Sequence, residues 1–382
     1  MAHLSGAFLI DCPASALNNF GSKEEGRYDN RSTVKYVRSR EGYLPYVSAQ
    51  AFRYWMRESL QAVPGWTPAP IFREDKIAYT DANPIEFAED DLFGYMRAPG
   101  SSKEVEKQWA EKGLTGQEKK GKSFVTLTRV SPFKVSTLIS IAPLKELGFD
   151  YGTMSRGEGD PVPHVHEFYR TTLLGMFSID LRMMGRFYHV DRTGYRHLDA
   201  IRVKLAEERG LTPYDNNRAF ELDLGARKAR LRQLLEGLAH ISGGAKQALH
   251  YTDVAPKLLF MAVAKGGNHL FGTAVGANKE GTPKIQAHAL KETASVFKDD
   301  LLSPFYLGLA QGYLDEQRPA LKELIDGKKI EEVAEGFSAG AAAAAAPAVE
   351  APPLKGAFLG HPVEAIRRII EDLDKNAAAW LA

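Results

Sequence analysis

At 382 residues, 44% hydrophobic and 25% charged, the chain is long enough for one large elaborated domain or two ordinary ones, with a folded rather than disordered composition. One cysteine, Cys12, excludes a disulfide framework and a cysteine-rich zinc site, and no apolar run is long enough to span a bilayer. A net charge of +1 argues against indiscriminate coating of nucleic acid, and without a secretory-type leader a reducing cytoplasm is the expected setting.

Charge is nevertheless segregated. Between Leu17 and Arg57 eight Lys and Arg stand against four carboxylates. The region Arg218 to Lys246 is basic, with Arg227, Lys228, Arg230 and Arg232, whereas Lys291 to Glu335 is acidic, with Asp299, Asp300, Asp315 and Glu316. Such a molecule suits a polyanion on one side and a basic neighbour on the other.

In chain order, Gly6 to Cys12 reads as a buried strand ended by Pro13, with Cys12 a small buried side chain and Asp11 structural. A loop over Ala14 to Tyr46 follows. Pro45 rules out helix just before it, and Ser48 caps a helix in which Phe52, Trp55, Met56, Leu60 and Val63 share one face. Gln50, Arg53 and Arg57 share another. A capped helix start with a hydroxyl, an amide and two arginines suits an anion, phosphate best, the alternative being a surface helix with solvated arginines. Val63-Pro64-Gly65 stops the helix, and 64–122 reads as an insertion with a short helical patch at Glu104 to Lys112. Phe124 to Val130 and Lys134 to Ala142 are strand-like, broken at Ser131-Pro132.

Asp150 to Asp160 is turn chemistry, a projecting loop or the tip of a hairpin. Leu173 to Arg186 alternates as a half-buried strand, Ala219 to Ala239 is helical and closed by Gly243-Gly244, and Leu258 to Ala264 is a buried strand. The fold class is therefore α+β, in the order β-α-β-β-α-β, the ferredoxin-like plan that RNA-recognition modules also use. Their aromatic Lys/Arg-Gly-Phe signature is absent, so base stacking on the sheet is not expected. Residues 276–337 read as a helical C-terminal part and 338–353 as an alanine- and proline-rich linker. In 354–382 a helix carries Val363, Ile366, Ile369, Ile370 and Leu373, to dock on the body or on a neighbour.

Four polar loops adjoin these elements: Ala16-Leu17-Asn18-Asn19, Tyr46 to Gln50, Gly152 to His166, and Ile241 to Gln247. Amides, hydroxyls, glycines and isolated cations suit a groove that follows an RNA backbone without reading its sequence. Gly243-Gly244-Ala245-Lys246 lets main-chain N–H groups approach a phosphate beside one lysine, but lacks the spacing of a nucleotide-hydrolysing loop. His164-Val165-His166 places two imidazoles on one side of a strand. A metal pair or, with His250, an acid–base ribonuclease set are open alternatives to the preferred polar loop tip. No nucleophile elbow, metalloprotease helix or dinucleotide fingerprint occurs, so no enzymatic activity, cofactor or metal is expected.

The opening strand with Ala16-Leu17-Asn18-Asn19, then Val34-Lys35-Tyr36-Val37, Tyr46 to Arg53, Arg129 to Ser136, Phe177 to Leu181 and Gly243-Gly244-Ala245-Lys246, resembles a family of CRISPR-associated backbone subunits. This is the DevR/Cst-type, Cas-seven group of the RAMP superfamily, and the resemblance runs from about residue 4 to 275. It implies a hand: an RNA-recognition palm over 1–63 and 123–275, a finger insertion over 64–122, and a thumb at about 150–168.

It also implies several copies in a helical filament along one guide RNA (crRNA), within a type I Cascade surveillance complex acting in antiviral defence. Partners would be the crRNA, the target DNA strand through the guide, further copies of the chain and other Cascade subunits, with no membrane. Carried onto matching positions, the resemblance nominates Asn18, Asn19, Ser48, Gln50, Arg53 and Arg57 for the guide backbone. Lys35 and Lys134 are further phosphate contacts, and the glycine loop adds Gly244, Lys246 and Gln247. Met154, Arg156 and His164 belong to the thumb. The alternatives are a RAMP-type endoribonuclease, with Asp29 the loop carboxylate nearest to that role, and a transcriptional autoregulator, for which no helix-turn-helix is found.

Overall fold

Strand β1, Ala2–Ser15, sets the architecture. Leu4, Phe8 and Ile10 turn to one core and Ala7 and Leu9 to another, all fully buried. A strand buried on both faces reads as a continuous apolar run, which is how this one reads. The computed structural model describes residues 2–22, 31–73, 77–99, 103–154, 157–326, 354 and 356–382. The linker over 338–353 lies outside them.

Helix α1 is Ala49–Leu60, and β2 comes in two short pieces, Phe133–Val135 and Leu138–Ser140. Strand β3 is Val162–Asp180, α2 is Leu224–Ala239 and β4 is Leu258–Lys265. β1 pairs antiparallel with β3 on one side and β4 on the other, and both pieces of β2 pair antiparallel with β3. The order 4-1-3-2 is that of a β-α-β-β-α-β unit, as expected. The sheet extends past β2 through Tyr43–Val47 and Tyr36–Arg38. Past β4 it extends through β5, Tyr306–Leu309, and β6, Phe358–Gly360.

One face is covered by α1, α2 and a C-terminal helix α3, Pro362–Trp380. Their buried stripes, including Phe52 and Trp55, Leu231 and Leu235, and Ile366, Ile369 and Trp380, meet on it. The other face is covered by Leu270, Phe271, Leu290, Leu321 and Leu324. The central strands are thus closed on both sides.

Several expectations are corrected. β3 starts eleven residues before Leu173, because the second arm of the hairpin runs straight on into the sheet. It ends at Asp180, whose carboxylate accepts from the amides of Arg182 and Met183 and turns the chain. The helix expected from Ala219 begins only at Leu224: Ala219–Glu221 joins a small sheet with Arg186–Tyr188 and Thr212–Tyr214, and Asp223 caps α2 through the Ala226 amide. The part expected to be helical after 275 is mixed in its described residues, and contributes β5. α3 docks on the body of its own chain. The charges along α2 are largely spent within the chain. Arg227 and Arg230 are buried on Glu221 and Asp91, and Lys228 and Arg232 pair with Asp374 of α3.

Candidate nucleic-acid interface

Ser48 does cap α1: its hydroxyl accepts from the Ala51 amide at 3.3 Å. The buried stripe Phe52, Trp55, Met56 and Leu60 fixes the helix rotation, and so turns Gln50, Arg53 and Arg57 together into an open cleft of about 780 Å³. Lys134 of β2 and Phe93, Gly94, Tyr95 and Met96 of the insertion line the same cleft. Lys134 and Gln50 are exposed, and Lys134 forms no ion pair among the described residues.

The two arginines are not equivalent. Arg53 donates from Nη1 to Ser131 Oγ at 3.0 Å and to the Phe133 carbonyl at 2.9 Å, and from Nη2 to the Phe93 carbonyl. Three of its five donors are therefore spent on the protein. Burial and the neighbouring Arg57 push its pKa down to about 10, which leaves it charged at neutral pH. Arg53 thereby fastens α1 to β2 and to the insertion. Arg57 lies 2.9 Å from Glu89 and 4.6 Å from the Phe93 ring centroid, so its charge is partly neutralised and its plane held against the aromatic face.

The remaining predicted residues meet at a loop junction. The Leu17 carbonyl accepts from the Ala245 amide at 3.0 Å, which seats the glycine loop on the loop after β1. Gly243 has φ +147° and Gly244 φ +103°, and a Cβ on Gly243 would come within 2.5 Å of the Trp55 ring. Close approach to α1 thus requires glycine there. Asn18 is buried: its amide donates to the Tyr46 carbonyl at 3.3 Å, and its carbonyl accepts from the Lys35 amide. Asn19 begins a short strand paired with Val34. Lys35 Nζ stands 6.0 Å from the centroid of Phe20, itself 63% exposed.

Gln247 does not face outward as a phosphate ligand would. Its side chain donates to the Gly243 and Thr252 carbonyls and accepts from the Thr252 amide, stapling its own loop. Met154's side chain, Arg156 and Asp29 lie outside the described residues.

The hairpin is Gly148–Met154 paired with the start of β3, and it sets Gly152 opposite His164 and Asp150 opposite His166. Its root is tied down by Glu167, which accepts from Arg31 at 2.7 Å and from the Val34 amide at 3.1 Å. Sequence reasoning missed Phe93, Tyr95, Met96 and Ser131 as cleft partners, since three of them come from the irregular insertion. Among the described residues no three His, Cys, Asp or Glu converge as metal ligands do. Cys12 is buried, and burial pushes its thiol up to about 12, so it is no nucleophile. No described helix is long and apolar enough to cross a membrane.

Residues 8–269 match the family described as CRISPR-associated negative auto-regulator DevR/Csa2. The chain belongs to the DevR/Csa2 family. The match takes in the second half of β1, all of β2 to β4 and both groups of predicted residues around α1, and ends before β5, β6 and α3. No curated protein matches the chain. Among solved structures, this DevR/Csa2 member is similar to a chain of a "CRISPR RNA-guided surveillance complex" at 12% identity and TM-score 0.42, over 82% of this chain and 91% of that one. It is also similar to a chain of a "CRISPR RNA-guided surveillance complex, pre-nicking" at 10% identity and TM-score 0.47, over 97% and 99%.

Proposed function

We propose that this DevR/Csa2 member is a guide-RNA-binding backbone subunit of a type I CRISPR surveillance complex, working in the cytoplasm without catalysis of its own. The observation that carries the reading is the cleft at the start of α1, where Gln50, Arg53, Arg57 and Lys134 line one open space. Those groups hold phosphates by charge and direct donation and carry no base-reading geometry, which suits a subunit that leaves sequence to base pairing. In this reading the β-α-β-β-α-β unit is the palm, the 64–122 insertion the finger region and the Gly148–Met154 hairpin the thumb. The closed sheet then leaves the loops and α1, not the strands, to meet RNA. Several copies along one guide would supply avidity from modest contacts per copy, with target DNA entering by pairing to the guide.

The test is single-stranded RNA binding at several salt concentrations. Charge reversal at Lys134 together with Lys246 should weaken binding and flatten its salt dependence. Unchanged affinity at every salt concentration would remove the cleft from the account. The family description favours a second reading, negative autoregulation, and tight sequence-specific binding to duplex DNA in place of RNA would establish it.

A further inference from the structure

On one face of the hairpin, and over the turn that follows the glycine loop, three imidazoles and an ammonium gather. Gly148 pairs with Phe168, Asp150 with His166 and Gly152 with His164; alternate pairs share a face, so Phe168, His166 and His164 stand in a row. The His164 and His166 rings lie 4.8 Å apart. A Cβ on Gly152 would come 2.8 Å from His164 Nε2, so that ring lies across the glycine. From the other side, His250 stacks on Phe168 at 5.2 Å, and its amide donates to the Lys246 carbonyl at 2.8 Å. Lys246, at φ +55°, is close enough to act electrostatically on His166.

His164 Nδ1, His166 Nδ1 and His250 Nε2 are buried atoms with no hydrogen-bond partner among the described residues. Asp150, opposite His166 in the hairpin, is a carboxylate that acts on it; Glu167 and Arg31 pair with each other elsewhere on the hairpin. Among the described residues these groups do not converge as metal ligands do. An anion would find an ammonium and imidazoles able to become donors once protonated.

We propose that His164, His166, His250 and Lys246 form a phosphate subsite at the root of the hairpin, and that filling it protonates His166. This rests on the RNA-binding reading, and the phosphate would be one of the strand's phosphodiesters. Burial first, then Lys246 and the neighbouring imidazoles, hold the His166 pKa below its ordinary value in the free protein. An anion reverses that balance, so binding takes up a proton and tightens as pH falls.

Anisotropy of a labelled single-stranded RNA at pH 6, 7 and 8 and constant ionic strength tests this on the full chain. Wild type should bind about tenfold more tightly at pH 6 than at pH 8, below the linkage ceiling of about tenfold per pH unit for one proton. His166→Gln and Gly152→Ala should lose most of that difference while melting as wild type does, and His288→Gln, on a separate helix, should keep it. The same pH slope in wild type and His166→Gln would overturn the subsite and leave RNA binding standing. If no RNA binds at any pH, the RNA reading itself fails, and titration with inorganic phosphate decides the subsite. Imidazole proton signals of His164 and His166 that move in wild type but not in Lys246→Met keep it, and signals that do not move overturn it.

Discussion

Asp91 Oδ2 accepts from Arg230 Nη1 at 2.7 Å, and the second oxygen of the same carboxylate receives Arg129. Asp91 and Arg129 are fully withdrawn from water and Arg230 nearly so, and the Gly185 amide donates to the same carboxylate. One insertion side chain therefore holds together the strand leading to β2, the turn after β3 and helix α2. Asp91→Ala would leave two guanidiniums buried without their counter-charge and should cost about 3–5 kcal/mol. Denaturant unfolding of the variant checks this, and a loss under about 1 kcal/mol would mean that the carbonyl partners of the two arginines carry the site without it.

The division of labour among the cleft residues separates binding from folding. Lys134→Ala and Gln50→Ala should weaken RNA binding without changing the melting temperature, and Lys134→Ala should lower the salt slope by roughly 0.7. Arg53→Ala should do both: it leaves the Phe93 carbonyl without its donor and the Phe133 carbonyl with the Ser131 hydroxyl alone, at about 1–3 kcal/mol of stability. Paired melting and anisotropy measurements on the three variants check the split.

Asp90 titrates against the fold. Burial, opposed by the Thr80 hydroxyl and the Asn83 amide, pushes its pKa up to about 7 from an ordinary value of 3.8. The folded state thus holds a proton that the unfolded state gives up between those values. This contribution to stability is complete below about pH 4 and disappears as pH rises through about 7. Asp90→Asn keeps an oxygen for the Asn83 amide, 2.8 Å away in the wild type, and cannot ionise. The melting temperature of the variant relative to wild type should rise between pH 5.5 and pH 8. A constant difference across that range would contradict the assignment.

Helix α3 lies outside the family match yet completes the core. Ile369 and Leu373 are fully buried, and the Tyr306 hydroxyl donates to Asp372 at 2.9 Å. Ile369→Ala should cost about 2–5 kcal/mol by opening a cavity. RNA affinity measured well below the melting temperature should stay at the wild-type value.

What was legible in the sequence follows from how local its causes are. β1 and β4 were plain because strands buried on both faces have little room for polar residues, and α1 because Ser48 and the stripe from Phe52 to Leu60 lie within one segment. The start of α2 was misplaced because Asp223 is a short-range cap easily passed over beside a basic, leucine-rich run. The burial of Arg230 could not be read, since its partner Asp91 stands 139 positions away. Arg53 shares a helix face with Gln50 and Arg57, as its spacing predicts, but its partners are 40, 78 and 80 positions away and leave no local signal. For Gln247 the cause is the opposite: its partners at Gly243 and Thr252 are near, but only the turn geometry brings them to its amide.

A backbone subunit of this kind would hold guide RNA in a multi-copy particle. Co-expression of the full chain with its neighbouring genes, followed by purification, particle sizing and sequencing of any bound RNA, tests this. Small RNAs with repeat-derived ends, recovered with several copies of the chain per RNA, are the predicted result. A monomer free of nucleic acid under the same conditions would contradict it.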